Sequence, residues 1–211
     1  MARELELKFS TLEDGFPSLP DLKTAFSGSG YSLGQPALQI HRDRYFDDAV
    51  QSLKAAGLAL RRRTVEDKVK GNRVLATLKT AGKVEGAAHE REEIEIVLTG
   101  YTWPPEIYER VAPLTDPHLL RTRLELSTTR RSYPVEKDGK VVALLAFDEV
   151  SAKYALSDIS AEFSEAEIEA VNGAGLEDLE HIAEQVDKVV QLAPNTANKV
   201  ERAEALLSLG F

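Results

Sequence analysis

The side chains best suited to chemistry are charged residues that recur at every second position within short apolar stretches. Near the start of the chain, Glu4, Glu6 and Lys8 alternate with apolar residues. Successive side chains of a β-strand point to opposite faces, so this spacing places all three charges on one face. The same alternation recurs along the chain at Arg61, Arg63, Thr77, Lys79, Arg91, Glu93, Glu95, Arg121, Arg123, Glu125, Asp148, Asp158, Ser160 and Glu162.

The direction in which these charged faces point decides what chemistry they can do. Faces turned to solvent would form an ordinary surface of mixed charge. Faces turned inward would line a wide, wet cavity. Its bases would need an anionic ligand and its acids would need cations, because unpaired buried charge is costly. A phosphate chain that carries a chelated metal ion satisfies both needs. The pattern alone is compatible with either arrangement.

The supply of metal ligands narrows the choice of metal. The chain contains no cysteine and only four histidines, which are widely spaced. Any metal site is therefore expected to consist of carboxylates, and such oxygen ligands favour hard divalent ions such as Mg²⁺ or Mn²⁺. We expect His41 and His89 at the surface or at the rim of a cavity.

The charged faces must be carried by strands, and alternation together with turn residues predicts where these lie. The predicted strands cover residues 1–10, 35–46, 58–66, 73–80, 88–98, 119–133, 141–151 and 154–163. Successive strands joined by hairpins indicate an antiparallel sheet that closes on itself, because closure removes exposed edges. The predicted fold class is α+β: an eight-stranded antiparallel β-barrel with flanking helices and a C-terminal helical tail.

The C-terminal end of the chain is predicted to be helical. Ser164 followed by Glu167 forms a capping-box pattern, which predicts a helix that begins at Ser164. Further helices are predicted over residues 176–191 and 197–209. We therefore expect residues 1–163 to form the barrel domain and residues 164–211 to form a helical appendage packed on it.

Composition is typical of a globular protein with an unevenly distributed charge. The 211 residues carry a formal charge of −9, yet residues 161–191 alone hold nine acids and one base. The remainder is nearly neutral and can hold a cavity lined by bases. No apolar run approaches the roughly 20 residues that span a bilayer, and the charged first strand argues against a signal peptide. We expect a cytoplasmic protein, monomeric or homodimeric, that binds neither membrane nor nucleic acid.

Several short segments match the motifs of one known family in the same order. Residues 4–8 read ExExK, residues 43–47 read DxYFD, and residues 60–63 form a paired-arginine strand. They are followed by TLK at residues 77–79, RxExE at residues 91–95, RxR at residues 121–123, and Asp148. Together, over residues 1–163, these segments resemble the CYTH superfamily, also called triphosphate tunnel metalloenzymes.

Two further segments bear on this resemblance. Residues 192–203 resemble the stretch that follows the CYTH domain in bacterial inorganic triphosphatases, where it often leads into a CHAD domain. The last strand of the family usually carries ExE, whereas the predicted strand reads Asp158, Ser160 and Glu162. The resemblance therefore leaves open whether Asp158 or Glu162 is a metal ligand.

The resemblance implies a tunnel that binds a linear triphosphate with divalent metal ions. Three residues are implied to be catalytic: Glu4, Glu6 and Lys8. The implied phosphate-binding residues are Lys8, Arg61, Arg63, Lys79, Arg121 and Arg123, with Arg91 either joining them or pairing with Glu93. One metal would be held by Glu4, Glu6 and either Asp158 or Glu162. A second metal would be held or oriented by Glu93, Glu95 and Asp148, unless these acids only balance the arginines.

The function that the resemblance favours is hydrolysis of inorganic triphosphate to pyrophosphate and phosphate. The alternatives are hydrolysis of an organic triphosphate, a class IV adenylyl cyclase, and a polyphosphate-binding module without activity. The absence of a recognisable base-binding pocket in the sequence mildly favours the inorganic substrate. As a further hypothesis, the last helix plugs one end of the tunnel with Lys199 or Arg202 near the ligand. Arg130 and Arg131 would lie either at the tunnel mouth or at an exposed strand end.

Overall fold

The computed structural model describes residues 2–11 and 15–209. The strands are β1 (Ala2–Thr11), β2 (Tyr31–Leu33), β3 (Ala37–Asp47), β4 (Ala59–Asp67), β5 (Arg73–Lys79), β6 (Lys83–Glu85), β7 (Ala88–Val97), β8 (Arg121–Lys137), β9 (Lys140–Tyr154), β10 (Ser160–Ala170) and β11 (Leu192–Pro194). The helices are α1 (Leu19–Ala25), α2 (Ser52–Ala55), α3 (Pro105–Val111), α4 (Leu176–Asp187) and α5 (Lys199–Leu209), with a 3₁₀ turn over Pro117–Leu119.

Eight of the strands form a closed antiparallel barrel. Their order is β1, β10, β9, β8, β3, β4, β5 and β7, and β7 pairs with β1 to complete the ring. The short strands β2, β6 and β11 pair with β8, β7 and β1 at the margins of the barrel. The predicted α+β barrel with flanking helices is therefore confirmed.

Helices cover the apolar outer faces of the barrel strands. On one side, Leu7 and Phe9 of β1 and Ile168 of β10 pack in one cluster with Leu179 and Ile182 of α4. On another side, α2 and α3 cover the outer face of β4 and β5. Because these faces are sealed by helices, the opposite faces of the same strands are turned toward the lumen.

The last helix packs on lumen-facing side chains. Ala203 and Leu207 of α5 are buried in a cluster with Leu124 and Leu126 of β8 and Val150 of β9. These strand positions lie on the face opposite to the outer core, so α5 fills one part of the barrel interior. Within residues 2–11 and 15–209, none of the helices has the length and apolar character needed to span a bilayer.

The predicted helix at Ser164 is wrong. Ser164 lies within β10, and the chain between β9 and β10 turns at residues 155–159, where a strand was predicted. The capping-box pattern predicts a helix here, but the same residues also have the two-residue period of a strand. Glu165 and Glu167 alternate with the core residues Ala166 and Ile168. Long-range pairing of β10 with both β1 and β9 favours the strand. The proposed domain boundary after residue 163 therefore falls inside this strand.

Candidate active site

The lumen of the barrel is the main cavity of the described chain. Its volume is about 1340 Å³, which exceeds the roughly 300–1,000 Å³ of ordinary small-molecule pockets. Side chains from all eight barrel strands and from α5 line it. Most of the charged faces predicted from sequence therefore look into an enclosed space.

The alternation of side chains along each strand places the charged residues in the lumen. On β4, Arg61 and Arg63 are buried and line the lumen. Arg62, between them, points outward, and its guanidinium carbon lies 4.6 Å from the centre of the Trp103 ring. On β1, the same alternation turns Glu6 and Lys8 inward and their apolar neighbours toward the outer core.

The arginines of β4 are organised by an acid on the neighbouring strand. Arg63 donates from Nε and Nη2 to the two carboxylate oxygens of Asp43, each at 2.6 Å. Arg61 Nη1 lies 3.6 Å from Asp43 Oδ2. Burial would raise the pKa of Asp43, but the guanidinium groups of Arg63 and Arg61 lower it below its usual range. Asp43 is therefore ionised, and it fixes the fork of Arg63 bidentately.

A second group of contacts joins β1 to β5 and β7. Lys79 donates to Glu4 Oε1 at 2.9 Å, and Arg91 donates to Glu4 Oε2 and to Glu6 Oε1, both at 2.7 Å. Burial would raise the pKa of Glu4, but the ammonium of Lys79 and the guanidinium of Arg91 lower it to about 2. Glu4 is therefore ionised in the lumen, where it contacts both bases.

A third group joins β9 and β10 to bases from three elements. Asp148 accepts hydrogen bonds from Arg130 at 2.8 and 2.5 Å and from Lys199 at 2.6 Å. Glu167 accepts from Lys8 at 2.6 Å and also from Arg130. Burial would raise the pKa of Asp148, but Arg130 and Lys199 lower it. Lys199 belongs to α5, so the helix inserts a charge among these acids.

Two acids of β10 are less well compensated. Glu165 is 1 % exposed, and neither of its carboxylate oxygens has an aligned hydrogen-bond donor, although Lys199 Nζ lies 2.8 Å from Oε1. Burial raises the pKa of Glu165. Glu169 lies opposite Glu6 in the β1–β10 register. Burial together with the charges of Glu4 and Glu6 raises the pKa of Glu169 to about 7.

A family model decides the relationship of the chain to known proteins. The model that describes the CYTH domain matches residues 2–203. The chain belongs to the CYTH domain family. The predicted family membership is confirmed, and the match extends beyond residue 163 through β10, α4 and part of α5.

Solved structures share the CYTH fold with this chain. A candidate adenylyl cyclase from Hippeastrum, described as having a dominant triphosphatase activity, is 17% identical with a TM-score of 0.63 and covers 96% of this chain and 95% of its own. A candidate adenylate cyclase from Bacillus halodurans is 22% identical with a TM-score of 0.56, covering 96% and 98%. The Mimivirus capping enzyme triphosphatase is 12% identical with a TM-score of 0.50, covering 89% and 88%. No curated protein matches the chain in sequence.

The CYTH tunnel brings together most of the residues singled out from the sequence. Asp148 is buried beneath Arg130 and Lys199. The predicted residues that line the lumen are Glu4, Glu6, Lys8, Arg61, Arg63, Lys79, Arg91, Glu93 and Glu95. Within this set, Lys79 also lies 3.3 Å from Glu93, and Arg61 lies 3.7 Å from Glu95.

The structure places four predicted residues elsewhere. Arg121 is exposed and donates to the backbone carbonyls of His118 and Leu120. Arg123 is exposed at the cavity margin. Asp158 and Glu162 are exposed and do not line the cavity. The prediction that either Asp158 or Glu162 is a metal ligand in the lumen is therefore wrong. The acids of β10 that face the lumen are its odd-numbered ones, and the first of these is Glu165.

The misplacement of Arg121 and Arg123 has a physical reason. In the first part of β8 the lumen face carries Leu124 and Leu126, which pack against α5, so there the apolar residues point inward and the charged ones outward. Further along the same face, Arg130 reaches the lumen. The assumption that the charged face of every strand points inward therefore fails on β8, because α5 covers the lumen face of this strand.

Sequence reasoning missed several lumen groups. They are Asp43, Glu165, Glu167 and Glu169. Arg130, expected at the tunnel mouth or at an exposed strand end, lines the lumen. The ExE signal of the family was present at residues 165–169, but the capping-box interpretation assigned it to a helix. His41, expected at the surface or rim, is buried in the lumen at 4 % exposure. The hypothesis that α5 carries Lys199 into the tunnel agrees with the contacts of that residue.

The acids of the CYTH tunnel fit a hard divalent cation. Asp148, Glu165 and Glu167 can each bring one oxygen within 4.8 Å of the others. Glu165 has oxygens without aligned donors, and burial together with the charges of Glu4 and Glu6 raises the pKa of Glu169 to about 7. A divalent ion would relieve both features, and carboxylate oxygens are the ligands that Mg²⁺ and Mn²⁺ prefer.

Proposed function

We propose that this chain is a metal-dependent hydrolase that cleaves the terminal phosphate of inorganic triphosphate, releasing pyrophosphate and phosphate. The observation that carries the proposal is the enclosed lumen in which rows of bases and rows of acids face one another. A linear polyanion with a chelated cation complements both rows. The Hippeastrum and Mimivirus proteins are both described as triphosphatases, which supports this proposal.

The bases of the lumen would bind the phosphoryl oxygens. Guanidinium groups suit bidentate contacts with phosphate, whereas ammonium groups act as point charges. Each base already contacts a carboxylate that holds it in position. A bound phosphate chain would replace some of these carboxylate contacts with contacts to phosphoryl oxygens. The proposed phosphate-binding residues are Lys8, Arg61, Arg63, Lys79, Arg91 and Arg130.

The acids of the lumen would hold the metal. We assign one ion to Glu4 and Glu6 together with Glu167 or Glu169 of β10, and we propose Mg²⁺ or Mn²⁺. Glu93, Glu95 and Asp148 would hold a second ion or balance the arginines. When bound, the metal neutralises phosphate charge and lowers the pKa of a coordinated water.

An organic triphosphate is the second candidate substrate. Tyr45 and Tyr154 are partly buried and line the cavity near Leu124 and α5. Their rings provide a surface on which an aromatic group attached to a triphosphate can stack. The phosphate-binding residues would be shared, so only the part of the cavity beyond the phosphate chain distinguishes the two substrates.

The test is phosphate release from tripolyphosphate, ATP and thiamine triphosphate, measured side by side with Mg²⁺ and with Mn²⁺. We expect kcat/KM to be highest for tripolyphosphate and activity to be lost in EDTA. A Glu6→Gln variant should lose at least about tenfold in kcat/KM, while Glu162→Gln on the outer face should match the wild type.

Three results would contradict the proposal. A higher kcat/KM for ATP or thiamine triphosphate would establish the organic substrate. Conversion of ATP to cyclic AMP and pyrophosphate would identify an adenylyl cyclase. Tight binding of tripolyphosphate without phosphate release under any metal condition would identify a binding module.

A further inference from the structure

His41 is a buried lumen residue whose protonation pattern is fixed by its neighbours. Its Nε2 lies 3.1 Å from Gln39 Oε1, and Gln39 Nε2 donates to Asp67 Oδ2 at 2.7 Å. Hydrogen bonds from the Lys70 backbone and the Gln39 side chain lower the pKa of Asp67 to about 2, so its carboxylate can only accept. Gln39 must therefore turn its amide nitrogen to Asp67 and its oxygen to His41. Neutral His41 consequently carries its proton on Nε2.

This tautomer leaves Nδ1 as a bare acceptor. Among the described residues, Nδ1 has no hydrogen-bond partner, and His41 is 4 % exposed. Thr128 lies directly opposite His41 in the β3–β8 register, and its Oγ1 is also buried without a partner. Opposed residues of an antiparallel pair share a face with Cβ atoms about 5 Å apart. Two unsatisfied polar atoms on one lumen face define a place for a small hydrogen-bonding molecule.

The surrounding charges decide what kind of molecule fits. Burial and the guanidinium groups of Arg63 and Arg130 lower the pKa of His41 to about 2, against the opposing effect of Asp43 and Asp148. His41 is therefore neutral at physiological pH and offers a lone pair, not a proton. Phosphoryl oxygens are acceptors and suit the arginines, whereas the imidazole lone pair requires a donor. Water is a donor that can bond to Nδ1 and Thr128 at the same time.

We propose that His41 and Thr128 hold the water molecule that attacks the phosphoryl group bound between Arg63 and Arg130. The inference rests on the proposed triphosphatase function and adds to it the residues that orient the nucleophile. In this arrangement Gln39 and Asp67 are positioning residues, because they act only by fixing the imidazole ring and its tautomer.

The chemical step balances without any further reactant. The water oxygen forms a bond to the terminal phosphorus while the bridging oxygen–phosphorus bond breaks, and its electron pair leaves with pyrophosphate. One water proton stays on the new phosphate, which becomes hydrogen phosphate. The other water proton, which is hydrogen-bonded to Nδ1 before attack, ends on pyrophosphate. The tripolyphosphate pentaanion therefore yields a hydrogen phosphate dianion and a hydrogen pyrophosphate trianion.

A pair of substitutions separates the two ring nitrogens. Asparagine places an amide atom near the position of Nδ1, whereas glutamine places one near Nε2. We therefore expect His41→Gln to lower kcat for tripolyphosphate about tenfold to a hundredfold with KM within about threefold, and His41→Asn to retain more activity. A purely structural role through Gln39 would give the reverse order.

The second pair tests the hydroxyl with little change in volume. Thr128→Val removes Oγ1, and Thr128→Ser keeps it. We expect kcat to fall at least about fivefold in Thr128→Val and to stay near the wild-type value in Thr128→Ser, with unchanged tripolyphosphate binding measured by calorimetry. Thermal unfolding of each variant verifies that the protein is folded in the assay, and the threonine pair remains informative if a His41 variant does not fold.

The outcomes separate this inference from the function on which it rests. Absence of phosphate release by the wild type from any triphosphate would overturn the function. With an active wild type, unchanged kcat in both His41→Gln and Thr128→Val would overturn the water site alone. A rise in KM at constant kcat would also overturn it, because His41 would then contact bound phosphate and not the nucleophile.

Discussion

Arg61, Arg62 and Arg63 are consecutive residues that meet two different environments. The outer two are buried in the lumen with acids around them, and the middle one stacks on Trp103 outside the barrel. The residue type alone therefore does not show whether an arginine in this segment can bind a ligand. Strand parity and the face covered by a helix decide whether an arginine can reach a ligand.

Arg130 and Arg121 provide a matched comparison on one strand. Arg130 bridges Asp148 and Glu167 in the lumen, whereas Arg121 is exposed. We expect Arg130→Gln to raise the KM for tripolyphosphate about tenfold or more, because a charge-assisted contact contributes about 1.5–3 kcal/mol. Arg121→Gln should leave KM within about twofold. Steady-state phosphate release measures both, and equal effects would contradict the placement of β8.

His41 predicts a pH dependence of stability. Its folded-state pKa of about 2 lies below the unfolded value near 6.5, so the unfolded chain takes up a proton first as the pH falls. Stability from this residue is complete above pH 6.5 and declines between 6.5 and 2, by about 2–3 kcal/mol at pH 4.5. Urea unfolding at pH 7 and 4.5 should show a smaller difference for His41→Asn than for the wild type. An identical difference would contradict a buried neutral His41.

The sequence correctly predicted which side chains face the lumen on strands whose other face packs against a helix outside the barrel. Glu6, Lys8, Arg61 and Arg63 were placed on the correct face because their neighbours are strongly apolar. The same reasoning failed for Arg121, since the apolar face of β8 is covered from within by α5. No local pattern distinguishes a helix inside a barrel from one outside it.

At the scale of elements, β10 and α5 complete the site. β10 supplies three acids to the lumen, and α5 supplies Lys199 and closes part of the interior. Most of β10 and the whole of α5 lie after residue 163, where the sequence predicted only an appendage. The local sequence could not decide between a helix and strand β10, because the strand is favoured by its pairing with β1 and β9, which are distant along the chain.

Opposite faces of β10 are expected to differ in function. Glu167 contacts Lys8 and Arg130, whereas Glu162 is exposed. We expect Glu167→Gln to lower kcat/KM at least about tenfold and to weaken metal binding, because it removes a charge in contact with two lumen bases. Titration with Mn²⁺ and phosphate release measure the two effects. Glu162→Gln is the control, and a comparable loss there would contradict the β10 register.

Lys199 is expected to stabilise the fold through its charge. It contacts Asp148 and Glu165. Its removal would leave Asp148 with Arg130 alone and Glu165 with only the more distant Arg202, at 3.8 Å. We expect Lys199→Met to lower the free energy of unfolding by about 3–5 kcal/mol in metal-free buffer, as measured by urea denaturation. The exposed Lys68→Met should change it by less than about 0.5 kcal/mol. A neutral effect of Lys199→Met would show that α5 does not carry an essential charge into the lumen.

At the scale of the whole molecule, the lumen is a set of opposed charges that a bound ligand would link across the barrel. Saturating tripolyphosphate with Mg²⁺, at a hundred times its Kd, should stabilise the fold by about 2.7 kcal/mol. For a chain of this size that corresponds to a rise in Tm of about 5–10 °C. Sodium chloride at equal ionic strength is the control, because it screens charges without bridging them. An equal rise in sodium chloride would contradict specific binding.

The seam between β1 and β7 also has a consequence for biosynthesis. Glu6 pairs with His89 on one side and with Glu169 on the other, so β1 is synthesised well before either of the strands that flank it. Ring closure thus depends on contacts that are distant along the chain, which is the situation that slows folding most. The nascent barrel remains an open sheet with an unpaired edge until β10 has emerged, and during translation that edge is the surface on which a chaperone would act.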